Sequence, residues 1–354
     1  MEDFELQNPA PGWKKHLFLL ARLTVSFGLI AYIVHSIVSR SDISTIPAYY
    51  SHAHYGWLLA AVASIVFLLS LGALRWGILL RAQGIRLSAG SILMYFLIGM
   101  FFNNFLPSTV GGDAIKVFYL HRLGNKGREG FVSILLDRLI GIAGLCLVAD
   151  VALLIGWRNL MANQALRERA PLIFGVVGGL TVALVCFFII VFNARVMRCF
   201  FRIIPRRLAR VEVKIREIHD CILLYRGKRG MLLGALAVSL FVWILIVLSS
   251  WMIYRGFHSS GAGPADPAIA GISLGYFYLF IPTISAIMSI PISFGGLGTR
   301  EAFFILFFSS LDGISELDAL IISLNYYFAF LFASGLGGII YILKDQLRFH
   351  RELT

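Results

Sequence analysis

Two segments of this sequence place a basic residue shortly after a pair of glycines, and both interrupt long apolar runs. The first is "LPSTVGGDAIK", Leu106 to Lys116, and the second is "IPISFGGLGTR", Ile290 to Arg300. Each has an apolar residue, a proline, three residues, Gly-Gly and, nine positions after the proline, a basic residue. Proline ends a helix because it has no N–H to donate, and glycine permits positive φ and close backbone approach. The two segments therefore predict corresponding helix breaks in an internal repeat.

The chemistry of such breaks suits an anion. A helix that restarts after the break has free N–H groups and the positive end of its dipole. Lys116 or Arg300 on the first turns would add a full positive charge, so each break predicts an anion-binding site. The alternative is a tight crossing of two helices, where glycine lets the backbones touch.

Charged residues also stand inside apolar segments. Asp137 and Arg138 lie in "SILLDRLIGIAGL", and Arg75 lies in "SLGALRWGILL". A charge near the bilayer centre is costly and normally faces a partner or a wet cavity. Because adjacent residues point in different directions on a helix, Asp137 and Arg138 are not expected to pair only with each other. Arg75 could equally extend towards the cytoplasmic interface.

The composition predicts a polytopic membrane protein. Hydrophobic residues make up 58% of 354 residues and charged residues 14%, against about 25% charged residues in soluble domains. The net charge of +12 does not indicate nucleic-acid binding, because the basic residues stand between apolar runs, where orientation signals belong. We find no P-loop, HExxH, GxSxG or DxD-like pair in the sequence, and we expect no cofactor, no metal and no enzymatic activity.

Hydropathy predicts an all-α fold of about six full spans and two interrupted segments. The spans are 17–38, 56–80, 131–156, 171–193, 230–254 and 318–343. Span 17–38 is too long for a typical signal-peptide core, so we read it as an uncleaved first helix. The interrupted segments are 88–121, with pieces 88–106 and 113–121, and 269–311, with pieces 269–290 and 299–311.

Loop charges predict the orientation. Segment 194–229 holds eleven basic residues against three acidic ones, so it is predicted to be cytoplasmic, with amphipathic stretches on the membrane surface. Both interrupted segments must then turn back as re-entrant hairpins that enter from opposite faces, which indicates an inverted repeat. We expect one transmembrane domain over 1–354, with both termini cytoplasmic, in the cell (inner) membrane of a bacterium. The sequence leaves the oligomeric state open, a homo-oligomer included.

Three segments resemble a known family. "FFNNFLPSTVGGDAIKVFYLHR", "LLDRLIGIAGL" and "PISFGGLGTREAFF" look like hallmark segments of the lysylphosphatidylglycerol synthase transmembrane-region family, over roughly residues 17–343. This flippase-like module forms the membrane half of the bacterial multiple peptide resistance factor. The chain ends at Thr354 without the soluble aminoacyltransferase domain, so we expect no synthase activity and leave the lipid open.

The resemblance implies a lipid translocase that moves an anionic or phosphate-bearing lipid through a polar midplane cavity. Since no ATP motif is present, movement would be downhill or ion-coupled. The alternatives are a membrane enzyme or accessory subunit acting on polyprenyl-phosphate lipids, and a membrane scaffold whose basic loop docks a partner. The predicted substrate-binding residues are Asn103, Asn104, Asp113, Lys116, Asp137, Arg138, Arg300 and Glu301. The predicted backbone positions are Pro107, Gly111, Gly112, Pro291, Gly295 and Gly296.

Overall fold

The computed structural model describes residues 46–105, 111–124, 126–193, 196–197, 209–258, 272–289, 296–311 and 313–352, and the single positions 24, 28, 31, 32 and 35. The described residues are helical with short connections and contain no strand, which confirms the predicted all-α class. The predicted span 17–38 is described only at those single positions. Pro107, Pro291 and Gly295 lie outside the described residues.

The α-helices follow one another along the chain as eleven elements within the described ranges. They are α1 Ile46–Ser51, α2 Tyr55–Ala82, α3 Ala89–Phe105, α4 Gly111–Arg122, α5 Gly127–Ala162, α6 Gln164–Phe192, α7 Ala209–Leu223, α8 Arg229–His258, α9 Leu274–Met288, α10 Thr299–Phe308 and α11 Glu316–Glu352.

Five of these helices are long and apolar enough to cross a membrane. The apolar parts are Tyr55–Ala82, Gly127–Arg158, Gln164–Phe192, Arg229–His258 and Glu316–Leu343. At 1.5 Å per residue each is roughly 40 Å long or more, and the hydrocarbon core is about 30 Å thick. Five of the six predicted spans, all except 17–38, are thereby confirmed as helices of spanning length, and the chain is a multi-pass membrane protein.

The chain stays helical where the predicted spans leave a gap between 156 and 171. α5 continues to Ala162 and α6 begins at Gln164, so only Asn163 joins them. The Asn163 side chain accepts a hydrogen bond of 3.1 Å from the Leu166 N–H, which satisfies one of the free donors at the start of α6. Hydropathy marks the apolar part of a helix and misses polar turns that prolong it, which explains the incorrect boundaries.

Helices α3 and α4 pack antiparallel. The rings of Tyr95 and Tyr119 stack with centroids 4.7 Å apart at one end, and the Gly112 N–H donates to Asn103 Oδ1 over 2.9 Å at the other. A Cβ on Gly112 would overlap the carbonyl oxygen of Gly99. The chain therefore reverses between α3 and α4. With 17 and 12 residues, the two helices are roughly 26 and 18 Å long.

Helices α9 and α10 form a second antiparallel pair. Phe280 and Phe307 stack with centroids 5.5 Å apart, and a Cβ on Gly296 would overlap Met288 next to the turn. The helices contain 15 and 10 residues, which makes both shorter than the hydrocarbon core. These lengths agree with two re-entrant hairpins, and a turn within the membrane stays a prediction for both.

The cytoplasmic segment predicted at 194–229 contains the amphipathic helix α7, followed by a 3₁₀ turn over Leu224–Gly227. This part docks on the end of α2. The Tyr225 hydroxyl donates to the Leu79 carbonyl over 3.0 Å, and Lys228 Nζ donates to the Ala82 carbonyl over 2.6 Å. The Lys228 contact caps the Ala82 carbonyl, which lies at the end of the helix where the intrahelical ladder stops. The Tyr225 contact adds a second donor to the Leu79 carbonyl, which also accepts from the Gln83 N–H. Burial raises the pKa of the Tyr225 phenol.

Candidate functional site

A cavity of about 590 Å³ lies where the two antiparallel pairs meet helices α2, α5 and α8. Ligand pockets commonly measure roughly 300–1,000 Å³. The first pair contributes amide and charged side chains, the second pair contributes small polar residues, and α2 and α5 contribute further charges. The polar lining residues and the glycine at the second turn are Arg75, Asn103, Asn104, Asp113, Lys116, Asp137, Arg138, Ser289, Gly296 and Thr299.

The charged part of this cavity lies well inside its helices. Arg75 is seven residues before the end of α2, and Arg138 is eleven residues after the start of α5. At 1.5 Å per residue these separations are roughly 10 and 16 Å. Charges at such depth in an apolar helix are costly unless they pair or contact water. Each of these arginines is therefore expected to have an anionic partner or contact with water in the cavity.

Arg75 and Asp137 form one buried pair. Arg75 Nε donates to Asp137 Oδ1 over 2.7 Å, and Nη2 donates to Oδ2 over 3.1 Å. Arg75 Nη1 donates to Ser239 Oγ on α8 over 3.1 Å. This two-pronged geometry is the strong form of an arginine–carboxylate contact. It links α2, α5 and α8, and Arg75 therefore pairs within the bundle.

Asp113, on the first turn of α4, is the centre of a second cluster. Its Oδ1 accepts from Lys116 Nζ over 3.3 Å and from Asn103 Nδ2 over 3.4 Å. Its Oδ2 accepts from Arg138 Nε over 2.6 Å. Asp137 and Arg138 thus pair with different residues on other helices, which confirms that they do not pair only with each other.

Aromatic rings complete the surroundings of Lys116. Its Nζ lies 4.7 Å from the centroid of the Phe96 ring and 5.6 Å from that of Trp76. Ring faces attract cations, more strongly when water is excluded, and Lys116 is only 4% exposed. Lys116 is thus held as a buried cation by a carboxylate and two rings.

The described lining carries more positive than negative charge. Arg75, Lys116 and Arg138 are cationic, whereas Asp113 and Asp137 are anionic. Asp137 is engaged by Arg75, so the Asp113 carboxylate is shared between the two remaining cations. The Arg138 side chain is 47% exposed, so an anion in the cavity can reach it. The site therefore favours an anionic ligand.

Two buried polar atoms have no hydrogen-bond partner among the described residues and belong to side chains that line the same cavity. They are Asn104 Nδ2, from the first antiparallel pair, and Thr299 Oγ1, from the second. Buried polar groups are rarely left unpaired because desolvation without a partner is costly. Thr299 was not among the predicted site residues, since a threonine in a sequence carries no sign that its hydroxyl lacks a partner.

Arg300 and Glu301 do not line the cavity. Arg300 pairs with Glu301, donates from Nε to Ser323 Oγ over 3.2 Å, and lies 4.1 Å from the centroid of the Tyr327 ring. Glu301 Oε2 accepts from the Gly298 N–H over 2.7 Å. Both side chains therefore tie the start of α10 to itself and to α11.

The structure brings six of the eight predicted substrate-binding residues to one cavity and separates the other two. Of the predicted backbone positions, Gly111 begins α4, Gly112 forms the close contact with Gly99, and Gly296 lines the cavity with φ +79°. Arg75 joins the site through Asp137. Within the described ranges, no group of three His, Cys, Asp or Glu residues could hold a metal ion.

Comparisons with known proteins agree with this architecture. The family described as "Lysylphosphatidylglycerol synthase TM region" matches residues 19–338. The chain is 22% identical over 281 residues to a UPF0104 membrane protein of Methanothermobacter thermautotrophicus, covering 72% of this chain and 75% of that protein. It is 20% identical over 317 residues to a UPF0104 membrane protein of Pyrococcus horikoshii, covering 82% and 87%.

A third relative, a UPF0104 membrane protein of Methanocaldococcus jannaschii, is 23% identical over 348 residues, covering 94% of this chain and 96% of the relative. No solved structure matches the chain. These three relatives are archaeal, and the bacterial origin, the orientation of the termini and the cell membrane stay predictions. Because the family match spans most of the sequence, this chain belongs to the lysylphosphatidylglycerol synthase transmembrane-region family.

Proposed function

We propose that this chain is a lipid translocase, which moves the headgroup of a phosphate-bearing lipid between the leaflets through the cavity. One observation carries the proposal: a cavity with excess positive charge lies deep inside apolar helices, where two antiparallel helix pairs meet. Transporters commonly bind substrate near the midplane, at the junction of inverted repeats with broken helices. Membership of the family supports a role connected with membrane lipids, and transport itself is our inference.

The arrangement suits exchange of one anion for another. In the described structure the Asp113 carboxylate pairs with both Lys116 and Arg138. A phosphate entering the cavity would compete with that carboxylate, because guanidinium and ammonium groups form strong hydrogen bonds with both. Asp113 thereby compensates part of the positive charge when no substrate is bound, and the acyl chains of the lipid remain in the bilayer.

The test is movement of labelled phospholipids between leaflets in proteoliposomes, with a membrane-impermeant reagent that reads the outer leaflet. The panel includes labelled phosphatidylglycerol and phosphatidylcholine. Arg138→Gln removes a cavity cation, and Arg128→Gln is the matched control, because Arg128 pairs with Glu217 on the surface with 54% of its side chain exposed.

We expect wild type and Arg128→Gln to move at least one phospholipid faster than protein-free vesicles, and Arg138→Gln to lose most of that rate. Transport by Arg138→Gln at the wild-type rate would show that the lipid headgroup does not move through this cavity. A wild-type rate equal to that of protein-free vesicles for every lipid would count against translocation.

A further inference from the structure

We infer that Asn104 and Thr299 form a hydrogen-bonding subsite for the ligand headgroup, with one atom supplied by each antiparallel helix pair. The inference rests on the proposed function and extends it, because it assigns a part of the cavity that holds no charge. The ligand chemistry is a phosphodiester oxygen, an anionic acceptor that can take a hydrogen bond from the Asn104 amide and another from the Thr299 hydroxyl.

The two neighbouring asparagines have different surroundings. Asn103 is fully engaged, since its Oδ1 accepts from the Gly112 N–H over 2.9 Å and its Nδ2 donates to Asp113. Asn103 therefore holds α3 against α4. Asn104 Nδ2 is buried with no partner among the described residues, and it belongs to a residue that lines the cavity. An amide N–H can only donate, so its missing partner must be an acceptor.

Thr299 is held in place by the turn before it. Gly296 and Gly298 have φ of +79° and +81°, a conformation that other residues rarely adopt. This turn starts α10 at Thr299, which is only 5% exposed. The nearby Gly298 N–H is already used by Glu301, whose charge Arg300 compensates. Thr299 is therefore the cavity-lining residue at this helix start, and its hydroxyl is buried with no partner among the described residues.

The charges of the cavity select the kind of acceptor. Lys116 and Arg138 lie in the same lining, and they favour an oxygen that carries negative charge. A ligand that reaches both Asn104 and Thr299 also connects the two helix pairs. Binding is therefore expected to raise the thermal stability of the whole bundle, because a ligand that binds only the folded state stabilises it.

Near-isosteric substitutions test the subsite. Thr299→Val and Asn104→Leu remove the polar atoms and keep most of the volume. The matched control is Thr283→Val on α9, because Thr283 is equally buried but its hydroxyl donates to the Leu279 carbonyl over 2.7 Å. The full chain in nonionic detergent is titrated with phosphatidylglycerol, phosphatidylcholine or inorganic phosphate, and the thermal midpoint is measured.

We expect phosphatidylglycerol to raise the midpoint of wild type and of Thr283→Val. Thr299→Val and Asn104→Leu should need about tenfold or more lipid for the same shift, because each lacks a hydrogen bond to a charged group. Without lipid, Thr299→Val should be as stable as wild type or more stable, since it removes a hydroxyl that has no partner among the described residues. Thr283→Val should be less stable than wild type.

Three results would overturn the subsite: an unchanged lipid response in both variants, no response of the wild type to any probe, or a loss of lipid-free stability in Thr299→Val equal to that in Thr283→Val. A response to inorganic phosphate alone, lost in both variants, would keep the subsite and reject a lipid as its ligand. Lipid responses that both variants lose, combined with no translocation in proteoliposomes, would support the subsite and reject the proposed function.

Discussion

Replacing Asp137 with leucine is expected to lower the free energy of unfolding by about 3–5 kcal/mol, because Arg75 would remain as a buried cation without its counter-ion. The two side chains are only 12% and 11% exposed. Arg75 donates twice to Asp137 and once to Ser239, so the substitution removes the only carboxylate that the described structure gives it.

The double variant gives the magnitude of the interaction itself. Arg75→Met combined with Asp137→Leu replaces both charges with apolar groups of similar size. Such replacements are often neutral, or stabilising by about 1–4 kcal/mol. We therefore expect the double variant to recover most of the stability that Asp137→Leu loses, with a coupling energy of about 3 kcal/mol or more.

The assay is reversible unfolding of the four proteins of the cycle in mixed micelles, with helicity as the signal. A second cycle on Arg128 and Glu217 is the control, because this pair has a similar separation of 2.9 Å but is 54% and 38% exposed. Its coupling energy is expected to be about 1 kcal/mol or less. An Arg75–Asp137 coupling no larger than that of the control would refute the view that burial makes this pair part of the fold.

Three further predictions concern the fold. Gly112→Ala should prevent assembly of the first antiparallel pair, because its Cβ would meet the backbone of α3. The control is Gly90→Ala, whose Cβ meets nothing within 4 Å and which should change stability by about 1 kcal/mol or less. Size-exclusion profiles of the two variants distinguish an assembled from an unassembled pair. In a cysteine-free background, Ser88→Cys and Gly124→Cys should react with an impermeant maleimide from the same side of the membrane, and opposite sides would contradict a hairpin. Burial raises the pKa of Tyr225, so the stability that its phenol contributes is complete below the unfolded-state pKa of about 10 and is lost as pH rises above it. Tyr225→Phe should therefore flatten the decline of the free energy of unfolding at alkaline pH. An unchanged decline in the variant would contradict this.

The sequence was sufficient to predict the elements that hydropathy and helix breakers control. Apolar runs longer than the bilayer predicted five helices of spanning length, and the proline–glycine segments predicted where two helix pairs reverse. The adjacent positions of Asp137 and Arg138 also predicted that the two do not pair only with each other, because adjacent helical residues diverge by about 100°. Each of these inferences depends on local periodicity or on the energetic cost of a charge in lipid.

Partner identity could not be predicted in the same way. Asp137 pairs with a residue 62 positions earlier, and Arg138 with one 25 positions earlier, and no local pattern contains such distances. The difference between Asn103 and Asn104 is equally hidden, since the two residues are identical and adjacent. Only the packing of α3 against α4 engages the Asn103 amide and leaves Asn104 Nδ2 without a partner among the described residues.

Arg300 was predicted to bind substrate but does not line the cavity, and the alignment of the two repeat segments gives a geometric reason. The pattern aligns Lys116 with Arg300, and hence Ile115 with Thr299. In the first pair, Asp113 and Lys116 face the cavity; in the second, Gly296 and Thr299 do so. Asp113 and Lys116 both lie in α4, which begins at Gly111, whereas Gly296 lies in the turn before α10, which begins at Thr299. Thr299 stands one position before the aligned Arg300, which corresponds to about 100° of rotation on a helix.

That rotation carries Arg300 away from the cavity and onto Glu301 and Tyr327. Arg300→Ala should therefore lower stability and any activity in parallel, because it leaves the buried Glu301 carboxylate uncompensated. Thr299→Val should weaken lipid binding without loss of stability. If Arg300→Ala lost transport at wild-type stability, the cavity would have to extend to Arg300 during the transport cycle, and the aligned basic residues would have equivalent roles after all.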